Sequence, residues 1–310
     1  MNGRRKAEGG SKRIIPYFRL LIRYVSMDNT QKLGIIAGSG DLPGLLASEA
    51  RKYDRQPVVV CVTNNYSPNL PQIAAEFHQF HVGQLKKIVK TLRNAGVKEI
   101  ALIGKVYKGV LLKPMWLDSL SRKILVKSRN LKSGDFSYRK IEYSILKNVL
   151  EELESMGFVV IDQRRFLSSL LFKAGVLTKR KPSKSEWQDI RYGIDLARKI
   201  ASLDIGQTVV VKNQIPLAIE AMEGTDEAIL RGGQLGGDGV VVAKAPNVDH
   251  DFRFDVPTVG PSTLKVMKEC SAKVLAIDAE RTFLLDAENV IKEANEHKIS
   301  IVAMSNDRNS

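Results

Sequence analysis

The sequence predicts an α/β protein, with an N-terminal Rossmann-like domain around a mostly parallel sheet and a second α/β domain after it. Three observations predict this fold. Short apolar runs rich in valine and isoleucine alternate with longer segments of helical periodicity, which is typical of a parallel sheet covered on both faces. The chain has 310 residues, which is enough for two hydrophobic cores. A basic, proline-containing stretch interrupts the alternation and predicts a linker between the domains.

The first domain is predicted over residues 31–170. Apolar runs predict its strands at 33–37, 57–62, 77–82, 99–104 and 158–162. Amphipathic spacing predicts its helices at 41–53, 83–95 and 140–156. Because helices separate most of the neighbouring strands, the strands are expected to pair in parallel.

The second domain is predicted over residues 171–310 and begins with the linker, at 171–186. Helical spacing predicts helices at 187–199 and 288–296. Apolar runs predict strands at 208–211, 217–221, 239–243 and 299–304. This half is therefore also expected to be a sheet covered by helices.

The composition argues against a membrane-spanning or disulfide-bonded protein. A hydrophobic content of 44% with 26% charged residues is ordinary for a soluble protein. The sequence contains no apolar run long enough to cross a bilayer. Cys61 and Cys270 lie in separate apolar runs, which predicts buried free thiols in a reducing compartment. These features predict a cytoplasmic location.

Residues 1–30 form a basic N-terminal extension, and two interpretations apply to it. Its first 26 residues carry seven Lys and Arg against the single Glu8, with apolar residues at helical spacing, which is typical of a helix lying on an anionic bilayer. The favoured interpretation is a translation start upstream of the natural one at Met27. The segment lacks the long apolar centre of a secretory signal.

A glycine-rich turn, Gly38-Ser39-Gly40-Asp41, directly follows the first predicted strand. Such a turn before a helix places backbone N–H groups at a positive helix end, which suits a phosphate. Pro43 occupies the position where a dinucleotide-binding turn needs its third glycine, so NAD binding is not predicted. A structural interpretation of Asp41 also stands, as the cap of a helix with Pro43 in its first turn.

The segment 220–260 mixes glycines with carboxylates, and this mixture predicts a site. Glycines allow tight turns and close approach to a ligand, and carboxylates beside them are the usual ligands of a hard cation such as Mg²⁺. The competing interpretation is a helix start, in which Thr225 or Asp226 caps the apolar run that follows. Capping and catalysis are about equally favoured for Asp226 taken alone.

Several ordered motifs identify a family resemblance. They include LGIIAGSGDLPGLLA at 33–47, GVLTKRKPS at 175–183, EAMEGTD at 220–226 and KAPNVDHDFRFDVPTVG at 244–260. Over roughly 32–302 the chain resembles the UDP-2,3-diacylglucosamine pyrophosphatases of lipid A biosynthesis of the LpxI type. It departs from the usual family pattern at His250, where Gln is usual, and at the turn Asn213-Gln214, where Gly is usual.

The resemblance implies a hydrolase. Members of this family cleave the diphosphate of UDP-2,3-diacylglucosamine with water and a divalent cation, usually Mg²⁺. The products are UMP and 2,3-diacylglucosamine 1-phosphate (lipid X). The aspartate that the family needs for catalysis falls on Asp226. A lipid-linked UDP-sugar substrate implies an enzyme that works in the cytoplasm, peripherally at the inner face of the membrane.

Residue types and the resemblance together nominate three sets of side chains. The catalytic candidates are Asp226, Lys244 and Arg253. The candidate ligands of Mg²⁺, or of another divalent cation, are Asp226, Glu223, Asp251 and Asp255. The candidate substrate-binding residues are Gly38, Ser39, Gly40, Asp41, Lys179, Lys181 and Thr225. The two cations Lys244 and Arg253 are expected to hold phosphate oxygens, and the two linker lysines to close over the diphosphate.

The basic region 107–140, together with Lys105 just before it, carries ten Lys and Arg against Asp118 and Asp135, and its interpretation stays open. It predicts attraction to an anionic membrane face, or it is a solvated surface. Nucleic acid is not expected as a partner, because no recognised nucleic-acid motif accompanies the charge. The alternative function is a non-enzymatic nucleotide- or anion-binding protein that retains the fold. An oligomeric assembly is compatible with the sequence.

Overall fold

The computed structural model describes residues 31–106, 117–129 and 138–305. The predictions for the N-terminal extension, and for the basic residues at 107–116 and 130–137, therefore lie outside the described residues. Within the described part, the longest helices are too short or too polar for any of them to cross a membrane.

The first half of the chain folds around a five-stranded parallel sheet. Its elements in chain order are β1 (Lys32–Ala37), α1 (Leu42–Lys52), β2 (Gln56–Cys61), α2 (Leu70–Ile73), β3 (Glu76–Gln79), α3 (Leu85–Asn94), β4 (Glu99–Ile103), α4 (Ser119–Arg129), α5 (Tyr138–Ser155) and β5 (Val159–Val160). The strand order is β3-β2-β1-β4-β5, and every pair is parallel. The chain thus reverses its direction of sheet growth between β1 and β4, and ligands of open α/β sheets bind at such a switch point.

Helices cover both faces of this sheet, and the strands are correspondingly apolar on both sides. In β2, the residues Pro57–Cys61 are all buried. One core packs α1 against β1, and the other packs α3, α4 and α5 against the opposite face. The predicted parallel sheet is confirmed. It could be predicted because a strand that is buried on both faces has a continuous run of apolar residues.

The second half folds around a mixed six-stranded sheet. Its elements are β6 (Gly175–Val176), α6 (Lys184–Ser202), β7 (Thr208–Lys212), β8 (Ile215–Ile219), α7 (Thr225–Gly236), β9 (Val241–Lys244), β10 (Thr258–Val259), α8 (Pro261–Glu269), β11 (Val274–Asp278), β12 (Phe283–Leu284), α9 (Ala287–Glu296) and β13 (Ser300–Met304). The order is β6-β13-β11-β9-β7-β8, with β9, β11 and β13 parallel to one another. Strands β10 and β12 form a separate parallel pair.

Two segments of this half differ from the sequence prediction. The segment predicted as a linker contains β6, which pairs antiparallel with β13, and the start of α6. Ser183 and Glu186 form a reciprocal capping box there, so helix formation begins before the predicted Trp187. No element was predicted over 261–278, where α8 and the fully buried β11 lie.

The turn between β7 and β8 explains one departure from the family pattern. Asn213 and Gln214 both adopt positive φ, 53° and 59°, which glycine adopts at lower cost. Their backbone N–H groups donate to the buried Asp189 carboxylate at 3.0 and 2.6 Å. The carboxylate thus stabilises a left-handed turn without a glycine.

The two halves share apolar packing. Phe252, Val256 and Phe283 of the second half belong to the same buried cluster as Leu33 and Ile35 of β1, and Phe254 packs against the cluster on the other face of the sheet. Shared burial of this kind fixes how the two halves meet. Among the described residues both cysteines are free, Cys61 buried as predicted and Cys270 only half-buried.

Candidate functional site

Two glycine backbones cross where β1 and β4 end. The N–H of Gly38 donates to Ile103 O at 2.8 Å, and the N–H of Ser39 donates to Lys105 O at 2.8 Å. A Cβ atom on Gly38 would lie 2.5 Å from Lys105 O, and Gly104 has a φ of 93°. The glycines are required by this close crossing. The amides of Gly38 and Ser39 are occupied within the fold rather than directed at a phosphate.

The last residue of the glycine-rich turn occupies the cap position of α1. Asp41 is exposed, and its side chain makes no capping hydrogen bond to the helix. Pro43 lies in the first turn, as predicted. The capping interpretation of Asp41 therefore holds for its position and not for its side chain, which stays available at the rim of the turn beside Gly40.

Helix α7 begins at Gly224, not at a side-chain cap. Gly224 is the N-cap with a φ of 90°, and it makes no side-chain capping bond. Thr225 and Asp226 are the first two helical residues. The interpretation of either as the cap is therefore wrong, and both side chains are free for other contacts.

Thr225 connects a buried lysine to a carboxylate. Lys244, the last residue of β9, is 7% exposed, and its Nζ donates to Thr225 Oγ1 at 2.7 Å. Thr225 Oγ1 in turn donates to Glu220 Oε1 at 3.1 Å. The other carboxylate oxygen, Glu220 Oε2, accepts the N–H of Gln207 at 3.2 Å. The side chains form a continuous chain of hydrogen bonds beneath the surface.

Charged groups from both halves of the molecule surround this lysine. Burial lowers the pKa of Lys244, and the carboxylates of Glu220, Asp255 and Asp226 oppose that effect. Lys105, which follows β4, lies near enough to lower the same pKa further. We call Glu220, Thr225, Asp226, Lys244, Asp255 and Lys105 the Lys244 cluster. It lies at the carboxyl ends of β4 and β9, between the two halves.

Two carboxylates of the Lys244 cluster are open. Asp226 and Asp255 are both exposed, and in the described part of the chain neither carboxylate has a hydrogen bond or an ion pair to another side chain. Glu223 differs, because its carboxylate pairs with Arg231 at 2.7 Å and accepts the N–H of Ala221 at 3.2 Å. Its own backbone N–H and Arg231 lower the pKa of Glu223. Its acceptor capacity is already in use.

Arg253, predicted to hold phosphate, is enclosed by carboxylates instead. Its Nε and Nη2 donate to both oxygens of Asp251 at 2.7–3.1 Å, and its Nη1 donates to Glu154 of α5 at 2.7 Å. Burial alone would raise the pKa of Asp251, but the bonds from Arg253 outweigh it and the pKa is lowered. We call Glu154, Asp251 and Arg253 the Arg253 cluster. It ties the second half of the molecule to the first.

The neighbouring Phe252 strengthens the same connection. The guanidinium carbon of Arg164, from the first half, lies 3.6 Å from the ring centroid. Arg281 lies 5.0 Å from the same centroid. His250 contacts the ring edge-on and bonds to Asp255 O at 2.9 Å. The segment around Asp255 is thereby fixed against the first half by aromatic and charged contacts.

The linker lysines lie elsewhere. The N–H of Lys179 donates to Asn295 Oδ1 at 2.7 Å in the last turns of α9. The next residue, Arg180, bonds to Ser300 at the start of β13. β13 runs parallel to β11, and β11 runs parallel to β9. The start of β13 and the end of β9 therefore lie at opposite ends of the strands of this sheet. The structure does not bring Lys179 and Lys181 together with Lys244.

The four nominated metal ligands are not gathered into one cage. In the described ranges no group of three or more His, Cys, Asp or Glu side chains is arranged to hold a metal ion. Asp226 and Asp255 remain as open carboxylates, whereas Glu223 and Asp251 are paired with arginines. Mg²⁺ is usually held by one or two carboxylates together with water and phosphate oxygens. The residues present fit that mode of binding.

Two members of the Lys244 cluster, Glu220 and Lys105, are not among the site residues predicted from the sequence. Glu220 opens the EAMEGTD motif, but in sequence it reads as the end of a strand. Lys105 follows the glycine at the end of β4, and only the crossing of Gly38 and Gly104 places it beside the other half. The signal for Lys105 was its position, because residues after neighbouring parallel strands meet at one edge of the sheet.

Comparisons with known proteins point to one family. The family model of the LpxI N-terminal domain matches residues 32–170, and that of the LpxI C-terminal domain matches residues 173–302. A relative from Caulobacter vibrioides, named UDP-2,3-diacylglucosamine pyrophosphatase LpxI, is 30% identical over 275 residues. That alignment covers 86% of this chain and 95% of the relative.

Solved structures resemble the chain only weakly. The biotin carboxylase domain of a thermophilic 2-oxoglutarate carboxylase with ADP shares 9% identity at a TM-score of 0.25, over 58% of this chain and 34% of that one. An ADP complex of N5-carboxyaminoimidazole ribonucleotide synthetase shares 16% identity at a TM-score of 0.24, over 64% of this chain and 43% of that one. Scores this low carry no argument about this chain.

Proposed function

Because this chain belongs to the LpxI family, we propose that it hydrolyses the diphosphate of UDP-2,3-diacylglucosamine, releasing UMP and 2,3-diacylglucosamine 1-phosphate. This reaction is a step of lipid A biosynthesis. One structural observation supports it above others. A buried ammonium lies beside two open carboxylates at the ends of parallel strands, between the two halves.

The ammonium of Lys244 suits a diphosphate. A lysine ammonium has three N–H donors, and among the described residues only Thr225 accepts one of them. A buried charge with unused donors is costly unless a ligand completes it. Anionic phosphate oxygens are such a ligand, and the interaction is strong because the surroundings exclude water. Lys105 adds a second positive charge from the other half.

Asp226 and Asp255 are the residues that would hold Mg²⁺. When bound, the ion would supply positive charge against the diphosphate and help to orient water. Asp226 lies in the first turn of α7, where the helix end is positive and favours anionic groups. We assign Asp226 to holding the attacking water or the ion, and Lys244 to stabilising the charge that develops on the leaving phosphate.

Release of UMP from UDP-2,3-diacylglucosamine by purified protein tests the proposal. The proposal predicts release with Mg²⁺, loss of release with chelator, and a severe reduction in Asp226→Asn. Well-folded protein that binds UMP but never releases it from substrate would instead support the alternative, a nucleotide- or anion-binding protein. Release that is insensitive to chelator would remove the metal from the reaction.

A basic surface supports contact with the membrane that holds the substrate. Helix α3 carries Lys86, Lys87, Lys90 and Arg93 on its exposed side and no acidic residue. Helix α4, which packs against α3, adds Arg122, Lys123 and Lys127 and has no acidic residue, although Lys123 and Lys127 pair with Glu152 and Glu151 of α5. We propose that this surface meets the anionic inner face of the membrane. The expected result is co-sedimentation with phosphatidylglycerol vesicles and none with phosphatidylcholine vesicles. Binding is expected to be lost in about 0.5 M salt, because the Debye length is then only a few ångströms and the charges are screened.

A further inference from the structure

The chain of hydrogen bonds behind Lys244 has a defined direction. An ammonium only donates, so Thr225 Oγ1 accepts from Lys244 Nζ over the 2.7 Å separation. The single hydroxyl proton of Thr225 must then point away, toward Glu220 Oε1 at 3.1 Å. A carboxylate only accepts, so it is the natural end of the chain. Reversing the first step would require Lys244 to lose a proton, and reversing the second would require Glu220 to gain one.

The backbone holds both ends of this chain in place. The N–H of Gln207 donates to Glu220 Oε2 at 3.2 Å, and the carbonyl of Gln207 accepts the N–H of Ala245, which follows Lys244, at 3.0 Å. A Cβ atom on Gly206 would lie 2.1 Å from Glu220 O. Gly206 therefore permits the approach that lets one backbone segment contact both Glu220 and the strand of Lys244.

Four charged groups face Lys244, and they differ in what substrate would do to them. Asp226 and Asp255 are exposed, and under the proposed function their charge is taken up by a metal ion. Lys105 adds positive charge and opposes protonation of Lys244. Glu220 is half-buried, and its two carboxylate oxygens accept from Thr225 Oγ1 and from the N–H of Gln207. Glu220 is thus the negative charge that stays available to Lys244 when the site is filled.

We infer that Glu220 is a positioning residue, which acts through the hydroxyl of Thr225 to keep Lys244 protonated and directed at the diphosphate. The inference rests on the proposed function, and it assigns Glu220 a role distinct from that of Asp226 in the same motif. Glu220 touches neither substrate nor metal. It balances the charge of a buried cation and fixes the hydroxyl that accepts from the ammonium.

The pH profile of UMP release distinguishes this role from a merely structural one. Glu220→Gln removes the charge while keeping the size, so the pKa of Lys244 falls further and the alkaline limb of kcat moves to lower pH, by about one unit. Thr225→Val, which removes the hydroxyl, is expected to move the limb in the same direction. Thr225→Ser keeps the hydroxyl and is expected to retain the wild-type limb.

The matched control is Glu227→Gln. Glu227 is an exposed acid in the first turn of α7 with no assigned role, and it is expected to leave the limb in place. An unshifted limb in both Glu220→Gln and Thr225→Val would overturn the inference. If Glu220→Gln does not fold, the comparison of Thr225→Val with Thr225→Ser decides alone.

Binding of UMP without metal separates this inference from the proposed function. In chelator, affinity for UMP is expected to fall with rising pH, and the fall is expected at lower pH in Glu220→Gln than in wild type. If UMP binding shows this difference between the two proteins but the wild type has no turnover, the proposed function is contradicted and the inference is kept. If the wild type turns over substrate but UMP binding has the same pH dependence in both proteins, the proposed function is kept and the inference is contradicted.

Discussion

The Lys244 cluster and the Arg253 cluster each have their central cation in the segment 220–260, yet they differ in how their charges are matched. In the Arg253 cluster one guanidinium has two carboxylate partners, and its donors are used within the protein. In the Lys244 cluster one ammonium has a single hydroxyl partner, beside two carboxylates that have none in the described chain. Unmatched polar groups, rather than charge as such, mark the place where a ligand belongs.

The largest expected effect comes from Asp226→Asn, which removes an open carboxylate. A reduction of kcat by roughly 10²–10⁴-fold is expected, the usual contribution of a group that acts on the reacting water. Since Asp226 is exposed and unpaired in the described structure, the free energy of unfolding is expected to change by less than about 0.5 kcal/mol. Measurements are UMP release and urea denaturation. A large loss of stability with retained activity would make Asp226 a structural residue.

Lys244→Met tests whether the buried cation is there for function. UMP release is expected to fall roughly 10²–10³-fold, as when one preorganised donor is lost. Stability is expected to stay the same or to rise, because a buried charge is replaced by an apolar side chain of similar length. Parallel urea titrations and initial rates measure the two effects. If the variant is destabilised but its rate of UMP release is unchanged, Lys244 is a structural residue, and the Lys244 cluster does not differ from the Arg253 cluster in function.

Arg253→Gln is expected to have a moderate effect that depends on Glu154. The pair is partly exposed, so a coupling free energy of about 0.2–1 kcal/mol is expected between the two side chains. A double-mutant cycle with Glu154→Gln, using thermal unfolding, measures it. If Arg253 instead holds phosphate, its loss would raise KM or lower kcat strongly, and to the same extent with or without Glu154.

The smallest effect is expected from the double variant of Lys179→Ala and Lys181→Ala. Both residues are exposed, and they lie near the start of β13, at the end of the second sheet's strands that is opposite to Lys244. Activity is expected to stay within about twofold and stability within about 0.5 kcal/mol of wild type. The kinetic assay used for Asp226 serves here. A tenfold rise in KM would show that these lysines reach the substrate through a change in structure.

The fold was largely predictable because strands buried on both faces are visible as apolar runs. β11 was missed although Val274–Asp278 is such a run, because no glycine or proline signal separates it clearly from α8. Asp226 and Lys244 were found from their motifs. Glu220 and Lys105 were not, since their role depends on how a hairpin and a loop from different halves meet. The cap of α7 was predicted one or two residues too late, at Thr225 or Asp226, because Gly224 adopts a positive φ that composition alone does not indicate.

Residues 171–186, which contain β6, protect one border of the second sheet, and this bears on how the protein behaves at high concentration. Residues from β6 onward bond along the outer side of β13, through Leu177 N–H to Ile301 O and Ser300 Oγ to Arg180 O. At the other side of the sheet, β8 carries Pro216 at an irregularity in its pairing with β7. Exposed strand edges recruit strands of other copies, and both covering and proline prevent it. The sheet is thereby protected at its two borders against edge-to-edge aggregation.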